Sequence, residues 1–154
     1  MLCATFPRRQ FLAEMESNEE LMRHFFDEVW NKKNEAAVDE VLAPDCVGYG
    51  LSDPDAVLHG PEEFKAIYRV FIGAFPDVRV TVHDVIAAGD RVAVRWSTLG
   101  THLGPLLGFP PTGKAISLDG ATIGVIRGGR IAEAWNMTDM GPLFDCIRPE
   151  PRRV

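Results

Sequence analysis

Asp139 stands four residues after Trp135, at the end of an alternating run and just ahead of Gly141-Pro142. A carboxylate walled by aromatic rings is disfavoured as an anion, so its pKa rises toward neutrality and it can serve as acid or base. His102, inside Gly100-Thr101-His102-Leu103-Gly104, carries a group whose ordinary pKa of about 6.5 suits the same work. Tyr49 could donate a hydrogen bond to a carbonyl oxygen, and His59 flanks the same acidic loop. Each has a structural alternative: Asp139 capping a turn, His102 organising a Gly/Pro-rich loop, Tyr49 packing its ring on a core edge. Trp30, Phe71, Trp96 and Trp135 could line an apolar cavity or simply fill a core. His83 and Asp84 are adjacent, so on a regular strand they face opposite sides and form no dyad.

Other chemistries find less support. Cys3, Cys46 and Cys146 make no CxxC pair, and His24, His59, His83 and His102 have no spacing that seats a metal from one element, so no metal or cofactor is expected. Three cysteines without a disulfide pattern read as reduced thiols in a cytoplasm. The formal net charge of −6 argues against nucleic acid or an anionic membrane as partner. No stretch approaches the roughly 18–20 apolar residues of a membrane span. Pro7-Arg8-Arg9-Gln10-Phe11-Leu12 is similar to a twin-arginine export signal, but the four glutamates of 13–20 replace the apolar segment such a signal needs. Residues 1–15 are therefore expected to be a loose extension, with Met15 an alternative start. A domain over 16–145 and a mobile tail over 146–154 complete the expected organisation.

The elements that must position these residues follow from periodicity. Ser17 and Glu20 have the spacing of a capping box, and Leu21, Met22, Phe25, Phe26, Val29 and Trp30 then recur at helical steps. Ala37, Val38, Val41 and Leu42 predict a short second helix that Pro44 ends, followed by a short strand over 46–50. Residues 51–59 read as a loop. Gly60-Pro61-Glu62-Glu63 opens a third helix carrying Phe64, Ile67, Tyr68, Phe71 and Phe75 on one face. After Pro76-Asp77 the period drops to two. Val78, Val80 and Val82 lead through Gly89-Asp90 to Val92, Val94 and Trp96, a hairpin. Lys114–Arg127 and Arg130–Met137 are two more strands, joined at Gly128-Gly129. Helices ahead of an antiparallel meander predict an α+β domain whose curved sheet wraps a pocket.

Several blocks carry a resemblance when taken in order: Phe75-Pro76-Asp77, the run from Gly89 to Trp96, Gly100 to Gly104, Gly108 to Gly113, and Gly129 to Trp135 with Asp139. Together they resemble the SnoaL-like polyketide cyclases of the NTF2-like superfamily. The resemblance implies a cone of three N-terminal helices on a curved, mainly antiparallel sheet, an apolar pocket, and a homodimer joined through the sheet. It implies cofactor-free ring closure by intramolecular aldol condensation, with Asp139 at the position of the acid/base aspartate. His102 and Tyr49 would join it in catalysis, with Trp135, Trp30, His59, Phe71 and Trp96 around the ligand. The chain departs from the pattern in one respect: Ala121–Ile126 holds no histidine, the second proton-handling group of the cyclases. Because one fold serves many chemistries, the leading expectation is an acid/base enzyme on an apolar carbonyl compound. The alternatives are a related isomerase or hydrolase, a non-catalytic binding protein, or a dimeric partner domain.

Overall fold

The computed structural model describes residues 18–151. The expected loose extension and the Ser17 cap lie outside them. Helix α1 covers 18–25 and passes without a break into a π-helical stretch, Phe26–Asn31. There follow α2 (Ala36–Val41), β1 (Leu42–Tyr49), β2 (Val57–His59), α3 (Gly60–Ala74), β3 (Arg79–Ala88), β4 (Arg91–Thr101), β5 (Ala115–Arg127), β6 (Arg130–Thr138) and α4 (Gly141–Ile147). The six strands form one sheet in the order β2-β1-β6-β5-β4-β3; β1 runs parallel to β6 and every other pair is antiparallel. This is the expected α+β architecture, with one helix more than the three foreseen.

Three details correct the sequence reading. Helix α2 stops at Val41, because Leu42 is already extended (φ −86°, ψ 137°), and Pro44 lies inside β1. It sits where pairing with β6 is interrupted between Leu42 and Val47, so its missing N–H costs no ladder bond. Residues 57–59, read as loop, form an edge strand against Val47–Tyr49. Cys146 and Ile147, assigned to the tail, belong to α4 and are buried. Pro142 in the first turn suits a helix start, and Leu143 and Ile147 are four apart, so both reach the core.

Two bulges decide which side chains face inward. In β3, Val82 pairs with Trp96 and Asp84 with Arg95, so His83 is an extra residue. In β6, Ile131 pairs with Ile126 and Glu133 with Val125, so Ala132 is extra. Each bulge slips the alternation by one and re-aims everything beyond it. The first also corrects the expectation for His83 and Asp84. Both lie exposed on the outer face, where His83 Nε2 meets Ser97 Oγ at 2.7 Å and Asp84 accepts from Arg95 Nε at 2.6 Å.

Two apolar clusters fill the concave side. One gathers Met22, Phe25, Phe26 and Val29 with α2, Phe64 and Tyr68 of α3, and Val92 and Val94. The other packs Phe75, Val78, Leu106, Ile116 and Leu118 against α4.

Candidate functional site

Between the helices and the concave face of the sheet lies a cavity of about 260 Å³. Phe25, Phe26, Trp30, Phe64, Phe71 and Trp96 form its aromatic wall. Trp30 presents its ring edge-on to Phe64, Tyr68 and Phe71, with centroids 5.3–6.1 Å apart, and Phe26 lies 6.3 Å from Trp96. The π-helical turn fixes the position of Trp30. It closes with Lys32 N–H on Asp27 O (2.8 Å), and the Tyr68 hydroxyl donates to Val29 O (2.9 Å). Asn31 then clamps the turn to β3, accepting from Val80 N–H (2.7 Å) and donating to Val80 O (2.9 Å). Three expected ligand-contacting residues, Trp30, Phe71 and Trp96, thus line one space.

Two polar groups of the cavity, Thr122 and Asn136, come from residues that sequence reasoning missed. Trp96 Nε1–H donates to Thr122 Oγ1 (3.0 Å), Thr122 donates to Asn136 Oδ1 (3.0 Å), and Asn136 Nδ2 donates to the Tyr49 carbonyl (3.1 Å). Indole N–H only donates and a carbonyl only accepts, so the chain has one consistent direction. It leaves the second Nδ2 proton of Asn136 uncommitted among the described residues, on a side chain that lines the cavity. Thr122 lies in the strand that lacks the expected histidine, so a hydroxyl faces inward from that strand.

The other expected site residues lie elsewhere. Asp139 is exposed, and its Oδ1 accepts the Gly141 N–H (3.0 Å) in a turn leading into α4; it borders an adjoining open depression with Asp53 and Gly50, which shares Asn136, Thr138 and Met140 with the aromatic cavity but is distinct from it. The desolvated setting expected for its carboxylate is therefore not what surrounds it. Trp135 points outward and stacks on Tyr49 (5.4 Å, 12°) beneath the Arg91 guanidinium (5.7 Å from the ring). The Ala132 bulge explains both, because beyond it Ala134, Asn136 and Thr138 line the cavity while Trp135 takes the opposite face. His59 is exposed at the start of α3, where its N–H is held by the Glu63 carboxylate (2.6 Å).

His102 is fully buried but outside the cavity. Its Nδ1 accepts from Thr112 N–H (3.2 Å), which places the proton on Nε2, an atom with no hydrogen-bond partner among the described residues. The Thr112 hydroxyl donates to Cys146 O (2.9 Å), so the imidazole ties the 102–113 loop to α4. Leu106 of that loop and Leu143 of α4 both line the cavity, so His102 touches the cavity wall only through the segments it braces.

Among the described residues the lining carries no carboxylate, imidazole, amine or guanidinium, and the one titratable group there is the Cys46 thiol, which burial pushes up from its ordinary value. No three described His, Cys, Asp or Glu side chains converge as metal ligands. What the cavity can do is enclose a neutral, mainly apolar molecule and offer its oxygens hydrogen bonds from Asn136 Nδ2 and from the Ser52 and Thr138 hydroxyls.

Comparison with known proteins agrees with this architecture. A protein from Jannaschia sp. CCS1, provisionally described as a SnoaL-like polyketide cyclase, is 27% identical over 89% of this chain and 95% of its own, with a TM-score of 0.80. AclR from Streptomyces galilaeus, provisionally described as a hydroxylase, is 26% identical over 85% and 95%, with a TM-score of 0.76. A protein from Acidithiobacillus ferrooxidans, provisionally described as a polyketide cyclase, is 31% identical over 86% and 94%, with a TM-score of 0.72. Among curated proteins none matches the chain. The sequence profile of the SnoaL-like polyketide cyclases matches residues 20–145, and the chain belongs to that family.

Proposed function

We propose that this protein takes up a neutral, apolar, carbonyl-bearing small molecule of the polyketide kind and promotes its ring closure by holding it folded. The observation that carries the reading is the uncommitted Asn136 Nδ2 proton, its side chain oriented by Thr122 and the Tyr49 carbonyl, in a mainly apolar, uncharged lining. A methylene between two carbonyls enolises without a strong base. Its enol carbon then attacks a ketone carbon of the same chain, and the enol proton passes to the new alkoxide oxygen, so atoms and charge balance. Asn136 donates to that oxygen as charge develops on it, and the aromatic walls keep the two carbons in contact. This replaces the desolvated aspartate of the sequence-based expectation with a neutral donor.

The experiment is ring closure of a neutral aryl-substituted linear 1,3,7-triketone, in which the methylene between the first two carbonyls closes a six-membered ring on the third, followed by absorbance. Wild-type protein accelerates closure, and Asn136→Leu loses about 100-fold, the scale of one oxyanion donor. Acceleration that survives Asn136→Leu would sink the assignment. The uncharged lining also favours a second reading, a non-catalytic carrier of such a molecule; tight binding of the triketone without acceleration would establish it.

Two further features belong to this reading. The sheet's outer face leaves Ile86, Leu99 and Met137 largely exposed, and a second copy of the chain covering it gives a homodimer. Light scattering on Ile86→Lys tests this; a monomeric wild type refutes it. Cys46 and Cys146 are both free and buried, which suits a reducing cytoplasm. Fractionation of the native host checks the compartment, and export would refute it.

A further inference from the structure

The loop that His102 anchors ends in an unusual tip. Leu106 and Phe109 exchange both backbone hydrogen bonds (3.0 and 2.9 Å), leaving Leu107-Gly108 as a two-residue turn. Both have positive φ, +51° and +79°, the mark of a primed hairpin turn. Asn or Gly normally takes the first position, because a side chain there crowds the backbone. Here a leucine takes it, and it is 66% exposed. An apolar side chain is thus held in solvent by a strained backbone, two costs at one residue, where Asn would incur neither.

The stalk below the tip does not let the strain relax. Leu103 and Gly104 N–H both donate to Ala74 O (2.9 and 3.1 Å), while His102 N–H and Gly113 N–H close the base on Lys114 O and His102 O (2.9 Å each). Gly104 presses so closely on α3 that a Cβ there would lie 2.0 Å from Gly73 O. The hairpin puts Leu106 into the core, 7% exposed, and Leu107 at the cavity's opening. Val70 of α3 and Phe144 of α4 are likewise exposed yet line the cavity, at 54% and 40%. Three elements therefore each contribute one exposed apolar side chain to the lining of this one cavity.

We infer that Leu107 caps the bound ligand, a specificity-determining contact that favours molecules long enough to reach from Asn136 to the rim formed with Val70 and Phe144. The inference rests on the cavity being the ligand site. Contact with the ligand's apolar outer end takes the leucine out of water and offsets the strain. The site thus selects an elongated, neutral molecule over a compact one of the same chemistry.

The test uses 2-acetylnaphthalene as probe, a neutral aromatic ketone, titrated calorimetrically into wild type, Leu107→Asn, Leu107→Gly and, as control, Leu103→Asn, an exposed leucine of the same loop that does not line the cavity. Both Leu107 variants are expected to weaken binding about ten-fold, the scale of losing one leucine's apolar contact. Their melting temperatures are expected to be equal to wild type or higher, since Asn and Gly suit the left-handed backbone. Leu103→Asn is expected to bind as wild type does. Unchanged affinity in the Leu107 variants would overturn the cap while leaving the cavity reading intact, and would point to the rim as a surface for another macromolecule. A lower melting temperature with the same affinity would make Leu107 a structural residue. A wild type that binds no probe would overturn the cavity reading and the cap together.

Discussion

Thr122→Val tests the hydrogen-bonded chain at its centre, because the two side chains have nearly the same shape and differ by the hydroxyl. The hydroxyl both accepts from Trp96 Nε1 and donates to Asn136 Oδ1, each at 3.0 Å, on a side chain almost wholly out of water. Removing it orphans an indole N–H and an amide oxygen inside an apolar wall. Each orphaned buried group costs about 1–3 kcal/mol. Trp96 and Asn136 are only partly buried, so both costs fall at the low end and the sum is about 2–3 kcal/mol. At roughly 2–4 °C per kcal/mol for a domain of this size, the melting temperature falls by about 4–12 °C. Urea denaturation with tryptophan fluorescence reads stability and the Trp96 environment together. The freed Asn136 amide also loses the partner that fixes its orientation, so probe affinity falls although Thr122 need not touch the probe. A loss below about 0.5 kcal/mol would show that the three side chains are neighbours without being a network, and the orientation argued for Asn136 would lose its basis.

Asp139→Asn is expected to change stability by less than about 0.5 kcal/mol, because an amide oxygen can still accept the Gly141 N–H. It should leave triketone closure unchanged; a ten-fold loss would restore the carboxylate to the chemistry. Gly120→Ala is expected to cost about 1–3 kcal/mol, since its Cβ would come within 2.4 Å of the Trp96 ring and 2.9 Å of Met137 O. The indole must then swing off Thr122, so a blue or red shift of tryptophan emission should accompany the loss, and an unshifted spectrum refutes it.

Much of the architecture was legible because long apolar periodicities report it directly. The α3 face of Phe64, Ile67, Tyr68 and Phe71, the Gly89-Asp90 hairpin and the Gly128-Gly129 turn all form where their patterns place them. Helix α4 was missed because Gly141–Ile147 spans barely two turns, too short to show a period, and its stability comes from burying Leu143 and Ile147. The aromatic wall of the cavity was legible for a related reason. Trp30, Phe71 and Trp96 sit on strongly periodic faces, and a face that is apolar enough to make a core is also apolar enough to wall a cavity.

The polar half failed on a single residue. Counting by twos from the inward Ile131 would put Glu133, Trp135, Met137 and Asp139 on the cavity side, the side on which the resemblance implies Trp135 and Asp139. That count has a cost visible in its first step, since it would bury the Glu133 carboxylate against apolar walls with no cation to pair it. An unpaired buried charge costs several kcal/mol, well above the one unpaired ladder position that a bulge requires. The extra residue at Ala132 resolves the conflict. It turns Glu133 out to Arg127 (3.0 Å), lets Trp135 stack on Tyr49, and brings Ala134, Asn136 and Thr138 to the cavity. Ala132 is small enough to be the extra residue. The charge at 133, two places from a core isoleucine, was the one signal in the sequence that the alternation could not run straight through.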